Sequence, residues 1–459
     1  MFQDSQLDGD LCALLRLIAT ATQDAVVEYE RSGHGVPSLE SPKLHPADAV
    51  AASIPLRRAV RTLEAACHQL CSTLAPPTLS MVNVLQRGMM VRETTVTRIA
   101  IEARITDILR EYPNGLHASE LGKKTGIDGG KLARVLRALT VKHIYREVAP
   151  DIFANNRLSL PLASDHPTSA LLGHFYNECL PAEAQLYETL VDPVSGPSYD
   201  PLQCSFSRTL GGQTLTLFDW FTQHRFGKAM LGIGYVSNSL VAANAYPWAS
   251  LAPGTKVCDV GGGIGAVLIL VGQKHAHLQL TLQDLPNVIC QAEKFWKEEC
   301  LQAVQEERIK FIPFDFFKEA PVAGQDIYYY GSTKDGRSQA KQVFHDWPDH
   351  MCQILIQNIR RAMKPGSRLL IHDYILRTVG GQGLDSPPDQ AVERAPKPLL
   401  PTWGAGNSRP YLQDINMMNL HNSKERTLDE FAKLGQDVGL TVVKVWDFLE
   451  TGMVEFVLA

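Results

Sequence analysis

The sequence predicts an α/β protein: a doubly wound sheet of seven strands, preceded by a helical region. Three observations predict this. From Lys256 onward, apolar runs of strand length alternate with runs of helix length, the pattern of parallel strands joined by crossover helices. One of these runs, Val257-Cys258-Asp259-Val260-Gly261-Gly262-Gly263-Ile264-Gly265, passes from apolar residues through an acid into glycines. A new apolar run follows from Ala266 to Val271, as where a buried strand turns sharply into a helix. Before residue 250 the periodicity is mostly helical.

Taken in order, Leu11 to Tyr29 places Leu14, Leu15, Ile18, Ala21 and Val26 at helical spacing. It reads as an amphipathic helix packed on a core or on another subunit. Residues 31–54 are rich in Pro, Ser, Gly and His and read as a loop. A second helix runs from about Leu56 to Leu74, with helical pieces over 76–100 after Pro76-Pro77.

Residues 101–163 combine a helix at Ile101–Glu111, a short helix capped near Ser119, a turn at Thr125–Asp128 and a helix from Lys131 to Thr140. A small hairpin then spans Ile144–Val148 and Ile152-Phe153. This is a winged helix-turn-helix pattern. Lys131, Arg134, Arg137 and Lys142 are too few for a nucleic-acid footprint in a chain of net charge -5, so the module reads as a packing and dimerisation unit. Residues 165–250 read as helices with turns at Pro193–Pro201. Phe218, Trp220, Phe221, Phe226 and Met230 form an aromatic-rich segment, either core or one wall of an apolar pocket.

Strands are expected near 256–260, 278–283, 309–313, 325–330, 367–374, 441–448 and 453–458, with helices at 349–363 and 427–437 among those between them. The last two strands pair around Thr451-Gly452 as an antiparallel edge. The domain division is therefore 1–100, 101–165, 166–250 and 251–459. A ligand crevice belongs at the carboxyl ends of the strands, where Asp259, Asp284, Asp315 and the segment after Tyr330 fall.

Composition bounds the function. With 459 residues, 45% hydrophobic and 20% charged, the chain has the makeup of two or three globular domains. The acidic balance gives no electrostatic reason for nucleic-acid or anionic-membrane binding. Asp4, Asp8 and Asp10 precede the first apolar run, so no secretory signal is read, and the apolar runs are too short and too charged for a membrane span. Nine cysteines without a CxxC pair read as reduced thiols of a cytoplasmic protein. No metal-ligand spacing is found; His275 and His277 read as a solvated turn.

The glycine cluster alone leaves the ligand open. Gly261, Gly263 and Ala266 match the dinucleotide fingerprint G-x-G-x-x-G/A, and equally the first motif of enzymes that use S-adenosylmethionine. An acid at Asp284, closing the second strand, suits two ribose hydroxyls in either case. His345, in Phe344-His345-Asp346-Trp347-Pro348-Asp349, lies beyond a strand end beside an acid and a Trp, a position that suits catalysis better than a lone packing role.

The motifs in order carry a resemblance. Residues about 101–459 resemble the fungal branch of the small-molecule O-methyltransferases related to plant caffeate and flavonoid O-methyltransferases. The carriers are Asp259–Gly265, Gln283-Asp284-Leu285-Pro286-Asn287-Val288, Phe314-Asp315-Phe316-Phe317, His345-Asp346-Trp347-Pro348-Asp349 and Ser423-Lys424-Glu425-Arg426-Thr427, with Met363-Lys364-Pro365-Gly366-Ser367 as a further match. The resemblance implies a Rossmann-like methyltransferase sheet, a winged-helix dimerisation domain that does not bind DNA, S-adenosylmethionine as cofactor and a homodimer.

It also implies site roles. Gly261 and Gly263 line the methionine end of the cofactor, Asp284 holds the ribose, Asp315 and Phe316 flank the adenine, and Lys341 matches a family lysine at the cofactor. His345 is the general base. Glu425 matches one acid that orients it, and Asp373 falls where the other is usually a Glu. Phe226, Met230, Asp346, Met418 and Asn422 match positions at the acceptor, a small aromatic or polyketide-like molecule.

The chemistry agrees with these residue types: a phenol of pKa about 10 needs its proton removed as it attacks, and a His of pKa about 6.5 can do so. Two departures stand out. The polar stretch Gly331–Ala340 intervenes before the His motif, and a Pro- and Gly-rich loop runs from about Thr378 to Ser408. The inserted stretch and Asp373 keep a second reading open, against which the presence of His345 argues: a methyltransferase-like enzyme that retains the cofactor but acts as a pericyclase, dehydratase or decarboxylase. A transcription regulator is disfavoured by charge.

Overall fold

The computed structural model describes residues 9–48, 53–88, 90–211, 215–217, 219–220, 239–331, 343–377 and 393–459. The chain divides into two compact units, the first comprising 1–180 with 231–233 and the second 181–230 with 234–459.

In the first unit, helices Gly9–Arg31 and Ile54–Leu74 pack side by side. Ser53 starts the second of these. Its hydroxyl caps Leu56 N–H and also donates to Glu28 near the end of the first helix, at 2.6 Å. Only Leu14 and Ala21 of the first helix are fully buried. Helices Pro77–Gly88 and Met90–Glu102 follow.

The single helix expected over Ile101–Glu111 is broken. Arg104 adopts a left-handed φ of 53° and a new helix runs Ile105–Arg110. The break directs Ile105, Thr106 and Leu109 into the core, where the Thr106 hydroxyl pairs with Tyr145 at 2.7 Å. Helices Ala118–Thr125 and Gly129–Thr140 pack closely at their turn: a Cβ on Gly129 would lie 2.8 Å from Ser119 Cα. The cap of the first of these is His117, whose Nδ1 accepts Ser119 N–H, rather than Ser119 itself. Strands β1 (Leu116–His117), β2 (Arg146–Ala149) and β3 (Ile152–Ala154) form an antiparallel sheet in the order β1-β3-β2.

The second unit holds a seven-stranded sheet of β4 (Lys256–Val260), β5 (Gln279–Asp284), β6 (Ile309–Pro313), β7 (Ile327–Tyr330), β8 (Arg368–Asp373), β11 (Leu440–Asp447) and β12 (Gly452–Leu458). The order is β11-β12-β8-β7-β4-β5-β6, with β4 to β8 parallel and β12 antiparallel to both neighbours. All seven lie within two residues of the positions expected from the sequence. Strands buried on both faces read as continuous apolar runs, which made them legible. Their order reverses between β4 and β7, the point at which sheets of this kind take a ligand beyond the carboxyl ends of the strands.

A further pair was not expected. β9 (Ile375–Leu376) and β10 (Arg426–Thr427) run parallel, with Arg426 opposite Ile375. This short ladder draws the segment 423–427 against the end of β8. Helices Asp349–Ala362 and Leu428–Gln436 cover one side of the sheet, and Leu355, Ile356, Ile359 and Phe431 join Tyr328, Leu369, Val454 and Phe456 in its core. No helix of the described residues is long and apolar enough to cross a membrane.

Candidate active site

The glycine turn after β4 is built as its sequence suggests. Gly261, Gly263 and Gly265 have φ of 67°, 62° and 78°, backbone that other residues rarely adopt. A Cβ on Gly261 would touch the Phe316 ring at 3.4 Å, and one on Gly262 would strike the Asp259 carboxyl at 2.3 Å. Asp284 closes β5 and is 6% exposed; its two oxygens accept the N–H groups of Gly263 and Leu285, each at 2.7 Å. Burial raises its pKa to about 6, against the pull of those two amides.

Asp315 lies after β6, where its carboxylate accepts Phe317 N–H at 3.1 Å and pairs with Lys318 at 2.8 Å. Phe316 packs edge-on against Phe317. Thus Gly261, Gly263, Asp284, Asp315 and Phe316 gather at the carboxyl ends of three neighbouring strands. Lys341, Phe226 and Met230 lie outside the described residues.

A second cluster sits beyond β7 and β8. His345 is 5% exposed, and its Nδ1 lies 2.7 Å from Glu425 Oε1. The shorter Asp373 reaches the same residue in another way: its Oδ2 accepts the His345 backbone N–H at 3.2 Å and its Oδ1 accepts Tyr374 N–H at 2.8 Å. Asp373 Oδ1 is 3.6 Å from the ring nitrogen, beyond a good hydrogen bond. On the other side of the ring, Asp346 Oδ1 lies 3.4 Å from His345 Nε2 and 3.7 Å from His421 Nε2.

Three buried carboxyls around one imidazole cannot all ionise. Burial, reinforced by Asp373 and Glu425, pushes Asp346 up to about 8 despite the pull of His345. Burial raises Asp373 to about 7 and Glu425 well above the usual carboxylate range. His345, Asp373 and Glu425 are also the one group, among the described residues, with donor atoms close enough to hold a metal ion, all within 4.8 Å. Both Asp373 oxygens already accept amide N–H groups, which suits an oriented base better than a metal ligand.

Two residues without an assigned role emerge from the geometry. Arg426, 1% exposed, donates to the carbonyls of Phe344 at 2.5 Å and Trp347 at 2.8 Å and pairs with Asp349 at 2.9 Å. It thereby clamps the turn that carries His345. Its adjacency to Glu425 was the available signal. His421, facing Asp346, gave no signal beyond its place on helix Ser408–His421. Of the acceptor positions, Met418 is half-buried on that helix. Asn422 caps it with φ 54°, and its side-chain amide is engaged by the carbonyls of Ser198 and Asp200 at 2.8 and 3.0 Å.

Fold and site together define an enzyme of the doubly wound class with a nucleoside-cofactor cleft next to a buried acid–base cluster. Residues 187–387 match the model of the O-methyltransferase domain family. Among curated proteins, the chain is 38% identical to 3-O-methyltransferase 2 of Phanerochaete chrysosporium over 97% of each chain. Among solved structures, LepI in complex with SAM (S-adenosylmethionine) superposes with TM-score 0.65 at 19% identity, covering 87% of this chain and 94% of that one. Another, described as a pericyclic reaction enzyme, gives TM-score 0.64 at 19% identity with the same coverage.

The chain belongs to the O-methyltransferase family, whose cofactor is S-adenosylmethionine. The cleft fits that group: Gly261 leaves open backbone before the Phe316 ring, and Asp259 Oδ1 is buried in the structure without a partner.

Proposed function

We propose that the chain methylates a phenolic or enolic hydroxyl of a small secondary metabolite, with His345 as the base. The observation that carries this reading is the 2.7 Å contact between His345 Nδ1 and Glu425. In the tautomer that donates Nδ1–H to Glu425, Nε2 is the basic nitrogen and faces away from Glu425. When bound, S-adenosylmethionine supplies a methyl group on a positively charged sulfur. Asp284 would hold its ribose, Gly261 and Gly263 its methionine end, and Asp315 and Phe316 its adenine. His345 Nε2 takes the acceptor proton, and Asp346, in contact with that nitrogen, borders the acceptor. Asp373 fixes the His345 backbone and Arg426 the turn around it.

The helix pair and three-stranded sheet of the first unit are read as a winged-helix module that serves dimerisation. The N-terminal helices are read as part of the same dimerisation region, supported by the side chains of Leu15, Val60, Leu74, Leu79 and Met81 that they leave exposed. The scattered cysteines support a cytoplasmic enzyme, and the acidic balance one that engages neither nucleic acid nor an anionic membrane.

The test is acceptor conversion and S-adenosylhomocysteine release, wild type against His345→Ala. Methyl transfer predicts equal amounts of both products and a fall of about 10²–10⁴-fold in turnover, with cofactor affinity kept within a few-fold. Product without S-adenosylhomocysteine would instead support a non-methylating reaction. That second reading is favoured by one observation: a raised, protonated Asp346 beside His345 could donate to a carbonyl and promote dehydration or rearrangement.

A further inference from the structure

The first unit contains a chain of thiol, imidazole and acid, made by a change of helix type. Helix Pro167–His174 continues into a π-helical turn, Phe175–Cys179, closed by Leu180 N–H to Phe175 O. In an α-helix, residues five apart point in different directions, about 140° around the axis. A π turn brings them back to the same side, and such turns occur frequently at functional sites.

Here the turn sets Cys179 against His174, with Sγ 3.5 Å from Nε2. The other ring nitrogen, Nδ1, lies 3.0 Å from Glu178 Oε2. His174 is 7% and Cys179 3% exposed. Burial by itself would depress the imidazole, but Cys179 and Glu178 outweigh it and push His174 up to about 10. Sulfur and carboxylate thus flank the two nitrogens of one buried imidazole, the arrangement in which a thiol can pass its proton to the ring.

We propose that Cys179 is a peroxide-reactive thiol, with His174 as its proton partner and Glu178 orienting the ring. The thiolate sulfur attacks one oxygen of hydrogen peroxide. An S–O bond forms as the O–O bond breaks, and the departing hydroxide takes the His174 proton and leaves as water. Cys179 ends as a sulfenic acid, oxidised by two electrons, while the peroxide is reduced. This chemistry is independent of the methyl transfer proposed above.

The experiment treats the purified full chain with hydrogen peroxide and a dimedone probe for sulfenic acid, then measures labelling at each cysteine by peptide mass spectrometry. Cys290, exposed on helix Pro286–Glu299, is the internal reference. Cys179 is expected to label about tenfold faster than Cys290, and His174→Gln to remove that advantage. Glu178→Gln should lower it several-fold; with its side chain 17% exposed, this is the milder change and carries the test if His174→Gln does not fold by circular dichroism. Labelling of Cys179 no faster than Cys290, or a rate unchanged in the folded variants, overturns the assignment.

Discussion

Glu425 meets His345 across 2.7 Å through Oε1, while its Oε2 is buried in the structure without a hydrogen-bond partner. Asp373, although equally buried, binds the backbone of His345 rather than its ring. The two acids therefore have separable roles. Glu425→Gln removes an acid that can give up its proton opposite a forming imidazolium, and should lower turnover roughly 10–100-fold, less than loss of the base itself. Asp373→Asn keeps one acceptor for two amides, and should cost more in melting temperature than in the chemical step. Steady-state rates and thermal unfolding of both variants check this ordering.

Arg426 acts at a distance from any substrate atom. Arg426→Gln should leave the Phe344 and Trp347 carbonyls short of donors and loosen the turn around His345. A loss of about 1–3 kcal/mol in stability is expected, with turnover reduced and cofactor affinity retained. Arg426→Lys should restore stability in part but not the fork of three contacts. Equal effects on cofactor affinity and turnover would mean that Arg426 does more than hold this turn.

Cofactor binding should depend on pH through Asp284. Its carboxyl titrates at about 6 in the structure, above the usual carboxylate range. Ribose hydroxyls donate to the ionised form, so affinity should rise as pH increases through 6 and weaken by up to about tenfold per unit below it. Calorimetric titration with S-adenosylhomocysteine at acidic and neutral pH measures this. Asp284→Asn should bind weakly at both, with a flat profile.

A methyl group at position 262 has no room. Gly262→Ala would place Cβ 2.3 Å from Asp259 Cγ, inside a turn fixed on both sides by left-handed glycines. Stability should fall by about 1–3 kcal/mol, together with cofactor affinity. Gly324→Ala, at a site with open space but a φ of 72°, should cost stability without affecting the cofactor. Thermal shift with and without S-adenosylhomocysteine separates the two.

The exposed apolar side chains of the first unit predict a homodimer with an interface above roughly 2,000 Å², formed mostly by residues 11–160. Light scattering at micromolar concentration should give twice the chain mass of 50.7 kDa. A monomer there would remove the dimerisation role.

The sequence by itself determined the sheet and the cofactor turn, because both are local. Buried parallel strands are continuous apolar runs, and a tight turn into a helix needs glycine where φ is positive, as at Gly261 and Gly263. The family resemblance also picked out His345, Glu425 and Asp373. Only the tertiary structure decided how these three meet. Glu425 stands 80 residues from His345, and the pairing of β9 with β10, a ladder of two residues with no periodicity to announce it, brings them together. The same is true of Arg426, which stands beside Glu425 in a sequence motif without a role of its own and becomes the clamp on the turn that carries His345. It is true of the left-handed Arg104 as well, which divides a helix that apolar periodicity alone would have continued. In each case the deciding force is a long-range hydrogen bond or a burial demand, and neither leaves a trace in local spacing.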